Sequence, residues 1–146
     1  MKRILIITIL FLGVCVSNAQ EIHSLSELED KLIQYPKNLV IKFSTDWCGI
    51  CKIQDRKIQK NKELNEILNH SIYYLEFDAE STETFKFKGI EFKPRKNKMH
   101  EFTETLLEGN QTYPAWVILN SDLEIIFKYN GLLNAEELLS IFKEIL

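Results

Sequence analysis

Apolar residues recur at Leu25, Leu28, Leu32 and Ile33, the spacing that builds one face of a helix. Ser24 followed by Glu27 forms a capping-box pattern ahead of them, and Tyr35-Pro36 ends the run, so a helix is predicted from Leu25 to about Gln34. LVIKFS at residues 39–44 is short, apolar and partly β-branched, as a buried strand should be. Beyond Cys51 the helical spacing returns with Ile53 and Ile58, pauses at Gln59 to Asn61, and resumes with Leu64, Ile67 and Leu68 until Asn69-His70. Two helical segments or one kinked helix are predicted there. IYYLEF at residues 72–77, with Asp78 at its end, predicts a second strand.

From residue 81 to 98 apolar and charged positions alternate, with Phe85 and Phe87 on one side of Lys88-Gly89 and Ile90 and Phe92 on the other. The pattern predicts a small exposed hairpin whose lysines and arginine are solvated edge protection. Met99 to Glu108 reads as a short helix ended by Gly109. PAWVILN, a turn at Asn120 to Asp122, and EIIFKYN then predict two adjacent strands. After Gly131, Asn134 with Glu137 caps a last helix whose stripe is Leu138, Leu139, Phe142 and Leu146.

The N-terminus adds a different signal. Lys2 and Arg3 precede an apolar run from Ile4 to Val16, followed by Ser17, Asn18 and Ala19. The run is shorter than the roughly 20 residues that a membrane span needs, and it is expected to be a secretory leader, residues 1–19, cleaved after Ala19. Cys15 offers a second outcome, acylation and a lipid anchor, but Leu12, Gly13 and Val14 match a lipoprotein signal only in part. Taking the 19 leader residues from 146 leaves 127, the length of one domain, residues 20–146. Two of the 18 basic residues leave with the leader, so 16 face 21 acidic ones, a net charge near −5. That charge attracts neither nucleic acid nor an anionic membrane surface.

The candidate chemistry lies in STDWCGICK, residues 44–52. A strand ends at Ser44, Asp46 and Trp47 occupy a short loop, and Cys48 falls where a helix begins. Free N–H groups and the positive end of the helix dipole stabilise a thiolate at such a position. Cys51, one turn further, is placed to attack a mixed disulfide formed at Cys48. Gly49 and Ile50 link the two. A structural staple is the weaker reading, because the loop closed is too small to restrain the unfolded chain much. A metal site needs about four ligands; the cysteines give two, and His23, His70 and His100 are scattered, so none is expected.

WCGICK after a buried strand, TYP at residues 112–114 opening a later strand, and Gly131 between the last strand and last helix together resemble the thioredoxin family. The resemblance spans almost all of residues 20–146 apart from an insertion at about 81–108. It implies an α/β thioredoxin fold, a central mixed sheet flanked by helices, with a hairpin and helix inserted before the cis-proline strand. By the same likeness Cys48 is the attacking and Cys51 the resolving cysteine, Trp47 an aromatic shoulder of a substrate groove, and Tyr113-Pro114 a docking edge with a cis bond. No cofactor is implied.

Two departures qualify the resemblance. Lys42 stands where thioredoxins usually bury an aspartate beneath the cysteines, and Ile50 where they commonly carry proline. Either Lys42 is a desolvated amine that can take a proton, or its head snorkels out and another group or water serves; the second is favoured, because buried lysines are rare without partners. His100, at a predicted helix start, is expected to be a capping or surface residue, and Trp116 and the Phe85 to Phe92 cluster to be packing.

The expected function is thiol-disulfide exchange with protein substrates in the periplasm or cell envelope. The protein is read as a monomer and more as reductase than oxidant, fed electrons by a membrane partner and serving envelope redox homeostasis. The competing class is a module of the same fold that holds a partner protein without redox turnover.

Overall fold

The computed structural model describes residues 25–146. The predicted leader, Cys15 and the capping Ser24 lie outside the described residues.

Helix α1 (Leu25–Gln34) leads into strand β1 (Leu39–Ser44). Helix α2 (Gly49–Lys60) stops at Asn61, whose side chain accepts from Leu64 N and so starts the five-residue α3 (Lys62–Glu66). A wide π-helical turn, Ile67–Ser71, carries the chain to β2 (Tyr73–Asp78). The hairpin β3 (Phe85–Phe87) and β4 (Ile90–Phe92) follows, then α4 (Glu101–Leu107), β5 (Ala115–Leu119), β6 (Ile125–Asn130) and α5 (Ala135–Ile145). The predicted pause at Gln59 to Asn61 is thus a real break, made by an asparagine that caps the next helix.

The main sheet has the order β2-β1-β5-β6, with β1 parallel to β2 and the other neighbours antiparallel. Side-chain alternation along a strand sends successive residues to opposite faces. Leu39, Ile41 and Phe43 therefore join Ala115, Val117 and Leu119 against α1, α4 and the hairpin. Val40 joins Trp116 and Ile118 on the other face, against Ile58, Leu64, Leu138 and Phe142. Both faces of the two central strands are covered, which is why β5 reads as a continuous apolar run and β1 as one broken only by Lys42 before its terminal Ser44.

Several expectations need correcting. The hairpin is exposed on one face only. Phe87 and Phe92 are 3% and 7% exposed and belong to the core, and Phe85, Phe87 and Phe92 ring Phe102 at centroid distances of 5.3, 5.6 and 5.2 Å. The alternation was that of an amphipathic hairpin laid on the core, with Lys86, Ile90 and Glu91 outward. His100 caps α4 as expected, its Nδ1 accepting from Phe102 N at 3.1 Å. It is fully buried and stacked on Phe85, so it is no surface residue. Ile53, counted above toward the apolar face of α2, is 43% exposed, and the buried side of that helix is Cys51, Gln54 and Ile58. Helix α4 also stops one residue short of the predicted Glu108, which takes a left-handed conformation as its C-cap.

Candidate active site

Strand β1 delivers the chain to a tight turn in which Cys48 N donates to Thr45 O at 3.0 Å. Cys48 is the N-cap of α2, with φ −75° and ψ 90°, and its sulfur accepts from Cys51 N at 3.2 Å. A cap side chain normally supplies oxygen to these free amides; here sulfur takes that place, and no acidic residue stands in the first turn to compete with it. The same amide and the helix dipole would hold a Cys48 thiolate when the pair is reduced. Cys48 and Cys51 are joined by a disulfide, their Cα atoms 5.3 Å apart. Both are nearly covered, at 5% and 2% exposure.

Around the pair the sequence candidates divide into two groups. Trp47, 66% exposed, projects beside the cysteines and meets Tyr113 edge to face at 6.2 Å. Tyr113 precedes Pro114 through a cis peptide bond, and burial, helped by Glu80 and Asp78, holds its phenol above the ordinary range. Gly131, at φ 138°, donates its N–H to Pro114 O at 2.8 Å, and a Cβ there would lie 3.3 Å from a ring carbon of Tyr129. Glycine is needed at that step to anchor the proline loop. Ile50 is 53% exposed, and a Cβ on Gly49 would meet nothing within 4 Å. Both link residues lie toward solvent.

Lys42 forms the second group, and here the favoured expectation fails. Its head does not snorkel to solvent: the residue is fully buried. Its ammonium binds Asp55 Oδ1 and, at 2.9 Å, Glu76 Oε1, which also accepts from Ser44 Oγ at 3.1 Å. A buried ammonium is tolerated when charged partners replace its water. Asp55 and Glu76 were missed from sequence. Asp55 sits four positions after Cys51 on one helix face, a spacing that could have flagged it. Glu76 lies opposite Lys42 only through the parallel register of β1 and β2, which no local pattern encodes.

Residues 27–146 match the family described as a thioredoxin-like domain. The chain belongs to that thioredoxin-like family. No curated protein matches its sequence. Among solved structures, the thioredoxin-like chain is similar to DsbH oxidoreductase, with 14% identity over 84% of this chain and 81% of that one and a TM-score of 0.59. It is similar to the disulphide isomerase from Xylella fastidiosa Temecula1, with 16% identity, 86% and 94% coverage and a TM-score of 0.56. It is also similar to the reduced DsbD C-terminal domain of Neisseria meningitidis, with 17% identity, 83% and 92% coverage and a TM-score of 0.58. At such identities the likeness carries the fold.

Proposed function

We propose that the protein is an exported thiol-disulfide oxidoreductase that exchanges electrons with protein substrates through Cys48 and Cys51. The observation that supports this most is the position of the Cys48–Cys51 bond, at the N-terminus of α2 with a main-chain amide on Cys48 sulfur. In the reducing direction the Cys48 thiolate attacks a substrate disulfide and forms a mixed disulfide. Cys51 then attacks Cys48 sulfur, the substrate leaves as a dithiol, and the pair is left oxidised with two electrons passed on. A membrane partner would return those electrons. The reductive direction rests on the likeness of WCGICK to reducing members of the family.

Trp47 and Tyr113, in contact beside the pair, would form the shoulder and edge of the groove for an extended substrate, with Pro114 at its floor. The insertion, residues 81–108, supplies an outward hairpin face that we assign to partner choice. Residues 1–19 are assigned to export into the periplasm or envelope; among the described residues no helix is long and apolar enough to cross a membrane.

Insulin reduction in the presence of dithiothreitol tests the activity. The intact protein should accelerate precipitation of the insulin B chain, and Cys48→Ser should return the rate to background. Equal rates for the two proteins would favour the non-redox binding module instead.

A further inference from the structure

Residues 86–98 hold six basic side chains, Lys86, Lys88, Lys93, Arg95, Lys96 and Lys98, against one acid, Glu91, a net charge of +5. The other described residues, within 25–146, hold 10 basic and 19 acidic side chains, a net −9. The net charge of the whole chain, which on its own repels an anionic surface, conceals this division. At physiological salt the field of an exposed charge fades over about 8 Å, so a surface that meets the insertion meets the local charge.

All six basic residues are exposed. Two are taken up by ion pairs: Lys93 holds Glu91 at 2.6 Å, and Arg95 holds Glu104 at 2.6 Å and Glu101 at 3.5 Å. Those pairs neutralise the acids nearest the face. Lys88 Nζ donates to Leu123 O at 3.2 Å. Lys86, Lys96 and Lys98 make no side-chain hydrogen bond or ion pair with a described residue. Near them Ile90 is 58% exposed at the corner of the hairpin. Phe85, Phe87 and Phe92 pin the hairpin's other side onto Phe102, so the hairpin lysines stand on a fixed ribbon.

The residue types choose between anionic surfaces. Protein interfaces are poor in lysine and rich in arginine and aromatic rings, whereas the one arginine here is already paired and the hairpin's three phenylalanines face the core. A nucleic-acid strand would also need rings on which to stack. Flexible lysine ammoniums around one exposed aliphatic side chain suit a fluid sheet of lipid phosphates, the ammoniums meeting the headgroups and the apolar corner entering the acyl boundary.

We propose that the outer face of the hairpin, with Lys86, Ile90, Lys96 and Lys98, binds the surface of an anionic phospholipid membrane. Glu29, Asp30 and Asp122 line a cleft beneath the hairpin tip, so the underside of the tip turns away from the lipid. The tip meets the β5–β6 turn, at the end of the sheet where Leu39 pairs with Leu119, and Cys48 follows the opposite end. Binding through this face therefore leaves the cysteine pair open. It also brings the protein beside the membrane partner invoked above, although the binding itself does not depend on the exchange reading.

Vesicle sedimentation tests the proposal. The protein as processed by the exporting cell, carrying Cys15→Ser so that no acyl chain anchors it, should pellet with vesicles of phosphatidylcholine and phosphatidylglycerol. It should stay in solution with phosphatidylcholine alone, and added salt should release it from the anionic vesicles. Changing Lys86, Lys96 and Lys98 together to glutamine should lower the partition constant about a hundredfold, about fivefold for each charge, with the urea midpoint unchanged. The same three positions changed to arginine keep the charge and should keep the binding, while Ile90→Ser should weaken it several-fold. Equal pelleting with neutral vesicles, or a glutamine variant that pellets like the parent, would overturn the proposal. So would capture on immobilised polyglutamate without vesicle binding, which would give the face to an acidic protein instead.

Discussion

Replacing Phe102 with alanine tests whether the inserted hairpin is part of the core. Phe102 is 1% exposed and its ring lies within 5.1 to 6.0 Å of the rings of Phe77, Phe92, Phe85, Phe87 and Phe43. Truncating a buried phenylalanine to alanine costs about 3–5 kcal/mol. Favourable aromatic pairs add about 0.5–1.5 kcal/mol each beyond burial, without adding up fully. With five ring partners, some from the sheet and some from the hairpin, the expected loss is at the top of that range, about 4–5 kcal/mol. A domain of this size holds about 5–15 kcal/mol in all, so the midpoint of urea unfolding, followed by circular dichroism, should fall by a large fraction with little change in slope. Phe102→Leu, which keeps most of the volume, should cost about 2 kcal/mol and remains measurable if the alanine variant does not fold. Ile90→Ala, at the outward hairpin tip and 58% exposed, should cost under about 0.5 kcal/mol. A loss below about 1.5 kcal/mol for Phe102→Ala, far under the range for a buried ring, would refute the reasoning.

Other consequences are equally direct. Cys51→Ser should accumulate mixed disulfides with substrate proteins on non-reducing gels while Cys48→Ser does not; equal trapping by both variants would contradict the order of attack. Asn134→Ala removes an oxygen that accepts from Glu136 N and Glu137 N and should cost about 1 kcal/mol in a thermal melt, whereas Asn134→Gly should cost only a few tenths. The Tyr74 phenol is raised well above 10.0 by burial, then by Glu76 and Asp55. Between those values the unfolded chain has released a proton that the folded chain still holds. Its contribution is thus complete below about pH 10 and is lost as pH rises through the folded value. Tyr74→Phe should flatten the alkaline fall in urea midpoint, and an unchanged fall would count against this attribution.

The elements of the fold were legible because the sheet is simple. β1 and β5 are covered on both faces, so β5 is apolar throughout and β1 is apolar but for Lys42 and Ser44, and α5 carries its own cap in Asn134 and Glu137. Cys48 and Cys51 were legible as a reactive pair because their placement is local: a strand, a turn and a helix start within nine residues, 44–52. The depth of the hairpin was not legible, since alternation states that one face is apolar without stating what it meets. Lys42 was misjudged for a related reason. A buried lysine is costly when alone, and its two acids come from a different strand and the next helix turn, so only register and packing show that it is paired.

The most direct test of the central claim is the reduction potential of the Cys48–Cys51 couple, measured by equilibrating the protein with glutathione or dithiothreitol buffers and trapping free thiols. A reductase of this family should equilibrate readily near −270 mV, the thioredoxin value. A couple that lies below about −300 mV and resists glutathione would be a structural staple, contradicting an exchange role, and a value near −120 mV would mark an oxidant and reverse the proposed direction of electron flow.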